Sequence, residues 1–502
     1  MVHNGLRGLA GFSGLVFSAC LVACGGDGDG VSPATTGGGD GGGGGTTPAT
    51  RLVYLADQEI DGVYELYEAG SGIKLNPSLS AGRQVFEDYQ ILPDHSGVVY
   101  RAVQDNDNLT NLYLAKFDEP GVSIKLNPSL TVAQDVIGFS FVPDGSGVVY
   151  RADQQTDDVF ELYWVRFSNP GTSTKLNGPL VAGGDVSMFV ALPDSTGVVY
   201  VADQDIDQKD ELFLVSFTAQ PTSQKLNSPL ADDKGVYGPQ VLPDSRGVVY
   251  LANETSLSSY ELYRVLFNAP GSSTKLNGRF ASSSYDYVLA PVVTPDGSGV
   301  VFLGPGDPGL GHEVYRVTFA KPGVNVKLNS PLAAGLTAVI SFELLPDSTG
   351  LIYFTNQDMG DGIDLYRANF ATPGTSVKVS GSPFDPDRVV RPRFTVTPDS
   401  QSVVYVVVTS FPRTELWYVN LEMPGLATLL KGPPLTFFYD QLGPVLSVRM
   451  EVTPDSKGLL YVGSETAGVD ELFQVNFATP ATAVKQNGAL VTNGNVKNFA
   501  VR

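Results

Sequence analysis

Residues that carry versatile chemistry are scarce in this chain of 502 residues, which contains 2 Cys and 3 His. Both cysteines, Cys20 and Cys24, lie near the N-terminus, so the rest of the chain has no disulfide and no thiol chemistry. His3 precedes them, and only His95 and His312 lie further along. We therefore predict no Ser-His-Asp triad, no metal site built from several histidines and no cofactor. A Gly-x-Ser-x-Gly nucleophile elbow is also absent from the sequence.

Basic residues are in the minority, since 32 Lys and Arg face 53 Asp and Glu for a formal net charge of −21. An acidic surface repels phosphate backbones and anionic lipid headgroups. We therefore predict neither nucleic-acid binding nor electrostatic docking on a membrane. Hydrophobic residues make up 42% of the chain and aromatic residues 10%, which excludes a disordered acidic chain.

The first 23 residues have the features of an export signal. Arg7 supplies a short positive region, and the apolar segment Leu9–Ala23 is too short to span a bilayer comfortably. The segment ends in Leu21-Val22-Ala23-Cys24, which resembles the lipobox of bacterial lipoproteins. The resemblance implies cleavage before Cys24 and a lipid on its sulfur. Two alternatives stay open: Cys20 as a competing site, and an ordinary secretory peptide cut nearby.

A glycine-rich linker follows the proposed lipid site. Residues 24–50 contain Gly37-Gly38-Gly39 and Gly41–Gly45, and nothing in them can bury apolar surface. We expect a flexible tether that spans roughly 28 Å. Acyl chains on Cys24 would anchor the protein to a membrane. Gly25 after the cysteine, rather than Asp, implies by the lipoprotein resemblance the outer membrane of a Gram-negative bacterium.

The rest of the chain, residues 51–502, repeats itself about every fifty residues. A Pro-Asp turn followed by an apolar run recurs eight times, and a period of this size signals a solenoid, a propeller or a domain array. The copies begin at Pro93, Pro143, Pro193, Pro243, Pro295, Pro346, Pro398 and Pro454.

One repeat, Val136–Leu180, contains four short segments with strand patterns and no helical periodicity. The Pro143-Asp144-Gly145-Ser146-Gly147 turn joins the first two segments, and we expect Gly147 to adopt a positive φ there. Four short strands joined by hairpins predict one propeller blade.

The third-strand pattern appears nine times, from Glu65-Leu66-Tyr67 to Glu471-Leu472-Phe473. The first copy, Leu52–Leu79, lacks an opening strand, and the C-terminal segment Val496–Arg502 resembles an opening strand with nothing after it. The sequence therefore predicts an all-β propeller of nine four-stranded blades, closed by pairing of the N- and C-terminal strands. Such closure would remove the free sheet edges of an open ring. The alternative is an eight-bladed ring with one irregular flanking unit.

The repeat resembles a known family at its motifs Pro-Asp-x-Ser/Thr-x-Gly, Val-Val-Tyr, Asp-Gln, Glu-Leu-Tyr and Lys-Leu-Asn. They look like the TolB-type propeller repeat, which also occurs in prolyl-peptidase-like enzymes, and they cover Leu52–Arg502. The resemblance implies the blade but not the activity. The peptidases add a hydrolase domain, for which no segment is left over. TolB carries an additional N-terminal domain where this chain has a linker, so TolB's role does not carry over.

Two repeated features have alternative interpretations. Acidic loops such as Asp57–Asp61, Asp153–Asp158 and Asp203–Asp207 offer closely spaced oxygen ligands, which leaves calcium open, but Asp also suits exposed hairpin loops. The recurrent tyrosines could line a groove for a ligand, or pack between blades, and their place inside apolar strands favours packing. These tyrosines are Tyr100, Tyr150, Tyr200 and Tyr250.

The predicted function is non-catalytic binding or scaffolding of a protein or glycan in the cell envelope. The alternative is an enzyme that processes envelope carbohydrate or peptide with carboxylates near the central channel. A pair of acidic residues facing the channel would favour the enzyme, and a smooth polar channel would favour binding. A purely structural envelope protein is a third candidate, and the absence of any pocket would favour it.

Overall fold

The structure is a computed structural model that describes part of the chain. The described residues are 50–105, 109–131, 133–230, 235–254, 260–280, 287–306, 311–332, 338–357, 363–381, 389–410, 413–436, 438–439, 446–447, 449–466 and 468–502. They contain no helix, and accordingly none that is long and apolar enough to cross a membrane. Cys24 and the glycine runs of the linker lie outside the described residues.

The described residues form β-strands joined by short turns. The strands before residue 280 are β1 (Leu52–Ala56), β2 (Glu65–Glu68), β3 (Gln84–Val85), β4 (Gln90–Ile91), β5 (Gly97–Val103), β6 (Thr110–Lys116), β7 (Ser123–Lys125), β8 (Val136–Phe141), β9 (Gly147–Ala152), β10 (Glu161–Arg166), β11 (Ser173–Lys175), β12 (Val186–Ala191), β13 (Gly197–Ala202), β14 (Glu211–Ser216), β15 (Gln224–Lys225), β16 (Val236–Val241), β17 (Gly247–Ala252), β18 (Glu261–Leu266) and β19 (Thr274–Lys275).

The remaining strands continue the same pattern. They are β20 (Leu289–Val293), β21 (Gly299–Pro305), β22 (His312–Thr318), β23 (Lys321–Lys327), β24 (Val339–Leu344), β25 (Gly350–Thr355), β26 (Asp364–Asn369), β27 (Ser376–Lys378), β28 (Val389–Val396), β29 (Ser402–Ser410), β30 (Arg413–Asn420), β31 (Ala427–Leu430), β32 (Phe438–Tyr439), β33 (Leu446–Ser447), β34 (Met450–Val452), β35 (Gly458–Thr466), β36 (Val469–Asn476), β37 (Ala483–Lys485) and β38 (Val496–Val501).

The strands form nine blades of a β-propeller, which confirms the predicted fold class and blade number; the eight-bladed alternative is wrong. Blade 1 contains β38, β1 and β2, blade 2 contains β3 to β7, and blades 3 to 7 take four consecutive strands each from β8 to β27. Blade 8 is β28 to β31 and blade 9 is β34 to β37. The β32–β33 pair forms a separate two-stranded sheet between blades 8 and 9 in the sequence.

The ring closes through the two ends of the chain, as predicted. β38 pairs antiparallel with β1, with Leu52 opposite Val501 and Tyr54 opposite Phe499. Arg51 and Arg502 exchange backbone hydrogen bonds of 2.8 and 3.0 Å beyond the strand ends. The fourth strand of this blade is reduced to a single bridge between Tyr67 and Lys74.

The hydrophobic core lies between neighbouring blades. Val99 and Leu112 of blade 2 pack against Phe139, Tyr150 and Tyr163 of blade 3, and equivalent clusters recur around the ring. The predicted packing of the recurrent tyrosines is confirmed, because Tyr150 and its three counterparts are fully buried. Each such side chain contributes about 1.5–3 kcal/mol of burial energy.

The opening strand of each blade lines the centre of the ring. Opening strands of neighbouring blades contact one another, as β8 does with β12 and β24 with β28. The fourth strands lie at the other edge of each sheet, and their residues are mostly exposed or half-buried. Side chains of the opening strands therefore form the wall of the central channel.

The Pro-Asp turns differ from the prediction in one detail. Gly147 does not have a positive φ; the positive φ of 72° belongs to Gly145, the residue directly after Asp144. A Cβ atom at Gly147 would lie 2.2 Å from the carbonyl oxygen of Val165. Glycine is needed at 147 because the two strands approach closely, not because the turn is left-handed there.

Candidate functional site

The Glu-Leu-Tyr and Lys-Leu-Asn motifs form an ion pair inside a blade. In blade 6, Lys327 Nζ lies 3.1 Å from Glu313 Oε1, and the Glu313 side chain is almost fully buried. In blade 7 the same pair joins Lys378 and Asp364 at 2.6 Å. The pair links the third strand to the fourth and leaves the buried carboxylate neutralised.

The asparagine of the Lys-Leu-Asn motif clamps the third strand. Asn177 Oδ1 accepts a 2.8 Å hydrogen bond from the Leu162 N–H, and Asn177 Nδ2 donates a 2.9 Å bond to the Gly178 carbonyl. The same side-chain bond to the third strand recurs at Asn76, Asn127, Asn227, Asn277, Asn329 and Asn487. This motif is therefore structural.

The recurrent tyrosines and the glutamines of the Asp-Gln motif also bond within the blade. Tyr150 Oη donates a 2.7 Å hydrogen bond to Gln154 Oε1, and Gln154 Nε2 donates a 3.0 Å bond to Ser173 Oγ. The rings of Tyr150 and Tyr163 stack with centroids 5.6 Å apart. With no exposed ring face, these tyrosines do not line a ligand groove.

The first aspartate of each acidic loop bonds to backbone amides. Asp153 Oδ1 accepts a 2.6 Å hydrogen bond from the Asp135 N–H, and Asp153 Oδ2 accepts a 3.2 Å bond from the Asp158 N–H. Asp57 and Asp203 accept equivalent pairs of bonds. In the described part of the chain no group of three or more His, Cys, Asp or Glu side chains could hold a metal ion. Calcium binding stays a prediction for a titration to test.

The two remaining histidines lie apart from each other in the fold. His95 occupies a turn in blade 2 with a φ of 60°. His312 begins the third strand of blade 6 and contacts the Tyr287 ring edge-on at 5.7 Å, and burial lowers the pKa of its imidazole.

The opening strands differ from blade to blade, unlike the other three strands. In each one, a single residue lies opposite the middle residue of the following Val-Val-Tyr-type run; we call this the bridging position. From blade 1 to blade 9 it is occupied by Ala500, Gln90, Ser140, Val190, Gln240, Val292, Glu343, Thr395 and Glu451.

Two side chains at the bridging position reach the opening strand of the next blade. Gln240 Oε1 accepts a 3.0 Å hydrogen bond from the Val293 N–H, and Gln240 Nε2 donates to the Pro291 carbonyl. Glu343 Oε1 accepts a 3.1 Å bond from the Val396 N–H. The two residues are equivalent, except that an ionised Glu343 has no proton to donate.

Both glutamates at the bridging position have raised pKa values. Burial raises the pKa of Glu343 to about 7, opposed by the hydrogen bond from Val396 and the charge of Arg393. Burial alone raises the pKa of Glu451 to about 7. Perturbed carboxyl groups in a cleft mark candidate functional residues.

Apolar side chains are exposed on the channel wall of blades 4 to 7. We call this set the channel arc; its members are between 38% and 45% exposed, although large apolar residues in strands are usually buried. They are Met188, Tyr237, Leu289, Val292 and Ile340. A cluster of exposed apolar residues on neighbouring elements is typical of a binding surface.

A charged network joins blades 9, 1 and 2 on the same wall. Glu87 pairs with Arg449 of blade 9 and, at 3.1 Å, with Lys497 of blade 1, and its carbonyl accepts a 2.9 Å bond from Asn498. Sequence reasoning missed this cluster, because its members are up to 411 residues apart. The opening strand of blade 2 is interrupted between β3 and β4, where Glu87 lies. This irregularity sets the segment around Glu87 apart from the other opening strands.

No family model matches the sequence, and no curated protein matches it either. Solved structures do resemble the fold. The crystal structure of a eukaryotic initiation factor has a TM-score of 0.52 and 12% identity, over 90% of this chain and 98% of that chain. Dipeptidyl peptidase 4 of Porphyromonas gingivalis has a TM-score of 0.50 and 10% identity, over 82% of this chain and 63% of that chain.

TolB from Acinetobacter baumannii is also a structural neighbour of this chain. It has a TM-score of 0.30 and 15% identity, over 74% of this chain and 83% of that chain. Identities this low show a shared propeller fold and carry no argument about activity, because propellers host many functions. The neighbours include both enzymes and TolB, so the comparisons leave the activity of this chain open.

Proposed function

We propose that this protein is a lipid-anchored binding module of the bacterial cell envelope. Residues 1–23 serve as its signal peptide, Cys24 carries the lipid, and residues 24–50 tether the propeller to the outer membrane. The support for the anchor is the Leu21-Val22-Ala23-Cys24 sequence followed directly by the glycine-rich tether.

The observation that carries the binding role is the contrast between repeated and unrepeated side chains. The repeated Glu, Lys, Asn, Tyr and Gln side chains bond within the ring. The exposed channel arc does not repeat, and it is the part of the wall that could contact a partner. An envelope protein or glycan that enters the channel mouth would meet this surface first.

The alternative function is an enzyme that uses the channel carboxylates on envelope carbohydrate or peptide. The raised pKa values of Glu343 and Glu451 favour it. Glu343, however, is bonded to the backbone of blade 8, and that blade lies between the two glutamates in the ring. Binding therefore has the better support. Hydrolysis of cell-wall fragments by the wild type, lost in Glu451→Gln, would establish the enzyme instead.

The anchor is tested by Cys24→Ser. We expect unprocessed precursor, or loss of the protein from the detergent phase in a partition experiment, while Cys20→Ser should mature and partition like the wild type. Normal maturation and membrane association of the Cys24→Ser variant would refute the lipid anchor.

Binding is tested with the detergent-solubilised full-length protein and an envelope extract. We expect a partner that is captured by the wild type and lost with Ile340→Asp, which puts a charge into the channel arc. Val377→Asp, on an exposed residue of the outermost strand of the same blade, is the matched control. If no component depends on the channel wall, the proposed binding role is wrong.

A further inference from the structure

The channel arc takes its members from the opening strands of four neighbouring blades. Leu289 begins the opening strand of blade 6, and Tyr237 and Ile340 are the second residues of the opening strands of blades 5 and 7. Tyr237 is also held edge-on against Tyr260 of its own blade at 4.8 Å, which fixes its ring at the channel mouth. A partner on this wall would therefore contact apolar side chains of four successive blades.

One carboxyl group on the same channel wall has no partner among the described residues. Glu451 occupies the bridging position of blade 9, two blades beyond Ile340, whereas Glu343 is already bonded to Val396. No residue in the described ranges donates a hydrogen bond to the Glu451 carboxylate or forms an ion pair with it. Arg449 and Lys497 on the same wall already pair with Glu87. A basic group of a ligand would therefore supply the partner that Glu451 lacks in the described part of the chain.

We propose that the channel binds a peptide segment that carries apolar side chains next to lysine or arginine. This inference rests on the proposed binding function and names its ligand class. The apolar side chains would cover the channel arc, and a basic group would pair with Glu451. The net charge of −21 would also attract a basic segment over a distance.

A glycan fits the channel arc less well. Met188, Leu289, Val292 and Ile340 offer no hydrogen bonds to sugar hydroxyls. Hydroxyls buried against them without partners would cost binding free energy. Aliphatic or aromatic side chains of a peptide lose nothing there and gain from burial.

The test measures fluorescence anisotropy of labelled peptides added to the full-length protein in detergent. The probes are a leucine-lysine peptide, the same peptide with glutamate in place of lysine, and the same peptide with serine in place of leucine. We expect only the leucine-lysine peptide to bind. Ile340→Ser and Glu451→Gln should each weaken its binding about tenfold, the effect of losing one buried apolar contact or one charge-assisted pair.

Matched controls separate the channel from the acidic surface in general. Val377→Ser removes an exposed apolar side chain on the outer rim, and Glu119→Gln removes an exposed carboxylate in a turn. Both should leave the affinity unchanged, and circular dichroism should show that all four variants keep the wild-type fold.

The proposal is overturned if the glutamate peptide binds equally well, if the channel variants bind like the wild type, or if no peptide binds and an oligosaccharide does. The proposed binding role is refuted by a different result, namely that the capture of every envelope component is unchanged in Ile340→Asp. A partner that is lost with Ile340→Asp, combined with no peptide binding, would refute the ligand class and leave the binding role standing.

Discussion

The second strands and the opening strands of this propeller differ in how closely they repeat. Val148-Val149-Tyr150 and Val198-Val199-Tyr200 are identical and fully buried. At the bridging position of the adjacent opening strands, by contrast, Ser140, Val190 and Gln240 follow one another. The residues that repeat from blade to blade stabilise the ring. The residues that differ give each blade its own surface on the channel.

The contrast has a physical basis. A second strand has hydrogen-bonded neighbours on both sides and packed blades on both faces, so only a narrow set of side chains fits. An opening strand has one edge toward the channel, where different side chains are tolerated. We therefore expect substitutions in the repeated framework to reduce stability, and substitutions on the channel wall to change binding.

The largest effect is expected from deletion of Val496–Arg502, the one opening strand that must come from the far end of the chain. Its loss exposes the edge of β1 and removes Val496 and Phe499 from the core, so the melting temperature should fall sharply and aggregation should increase. Thermal unfolding with light scattering measures both. Deletion of residues 25–47 in the linker is the control and should change neither. Equal tolerance of the two deletions would contradict closure by β38.

A smaller loss is expected from Asn177→Ala. The substitution leaves the buried Leu162 N–H without its acceptor, which costs about 1–3 kcal/mol. Blade 8 has Lys431 at the equivalent position, where the side chain is exposed, so Lys431→Ala should change the free energy of unfolding by less than about 0.5 kcal/mol. Urea denaturation of both variants checks the difference. A similar cost for both would mean that the repeated asparagine is not a clamp.

The framework could be predicted from the sequence, whereas the channel wall could not. Each repeat holds its turns, strand patterns and motifs within fifty residues. The first repeat lacks an opening strand, and the C-terminal segment supplies one. The channel arc depends on residues such as Met188 and Ile340, which look like ordinary strand residues. The pKa of Glu343 depends on how the ring encloses it. Glu87 and Arg449 meet only because the ring closes, so no local pattern indicates their contact.

An intermediate effect, with a pH dependence, is expected from Glu343→Gln. Burial raises the pKa of Glu343 from 4.5 to about 7, so the folded state binds the proton more tightly than the unfolded state. The free energy of unfolding therefore falls as the pH rises from 4.5 to about 7 and stays low above that. Glutamine keeps the acceptor for Val396 and adds a donor for the Phe394 carbonyl, the counterpart of Pro291. Above about pH 7 the variant should be more stable than the wild type by about 1 kcal/mol, discounted for partial exposure.

The reverse substitution, Gln240→Glu, serves as the matched partner. It should introduce the same fall in stability toward neutral pH at blade 5, because the equivalent position there is bonded to Val293 and Pro291. The free energies of unfolding of the wild type and both variants, measured across the pH range, test these expectations. A Glu343→Gln variant that follows the wild-type pH profile would show that this carboxyl group does not control it.

The smallest effect is expected at the ring of Pro-Asp turns, where two contributions oppose each other. Ser245 has a φ of 56°, which disfavours any residue but glycine, yet its hydroxyl accepts a 3.0 Å hydrogen bond from the Asp194 N–H of the preceding blade. Ser245→Ala loses the bond and keeps the strained φ, so it should cost about 1 kcal/mol. Ser245→Gly loses the bond but relieves the φ, so the two changes should nearly cancel. Gly297 shows that a blade tolerates glycine at this position, with a φ of 66° and the proline of the preceding turn packed 3.5 Å from where its Cβ would be. Urea denaturation measures the free energy of unfolding of both variants. Equal losses for alanine and glycine would mean that the positive φ at this position costs no stability and that only the hydrogen bond between blades matters.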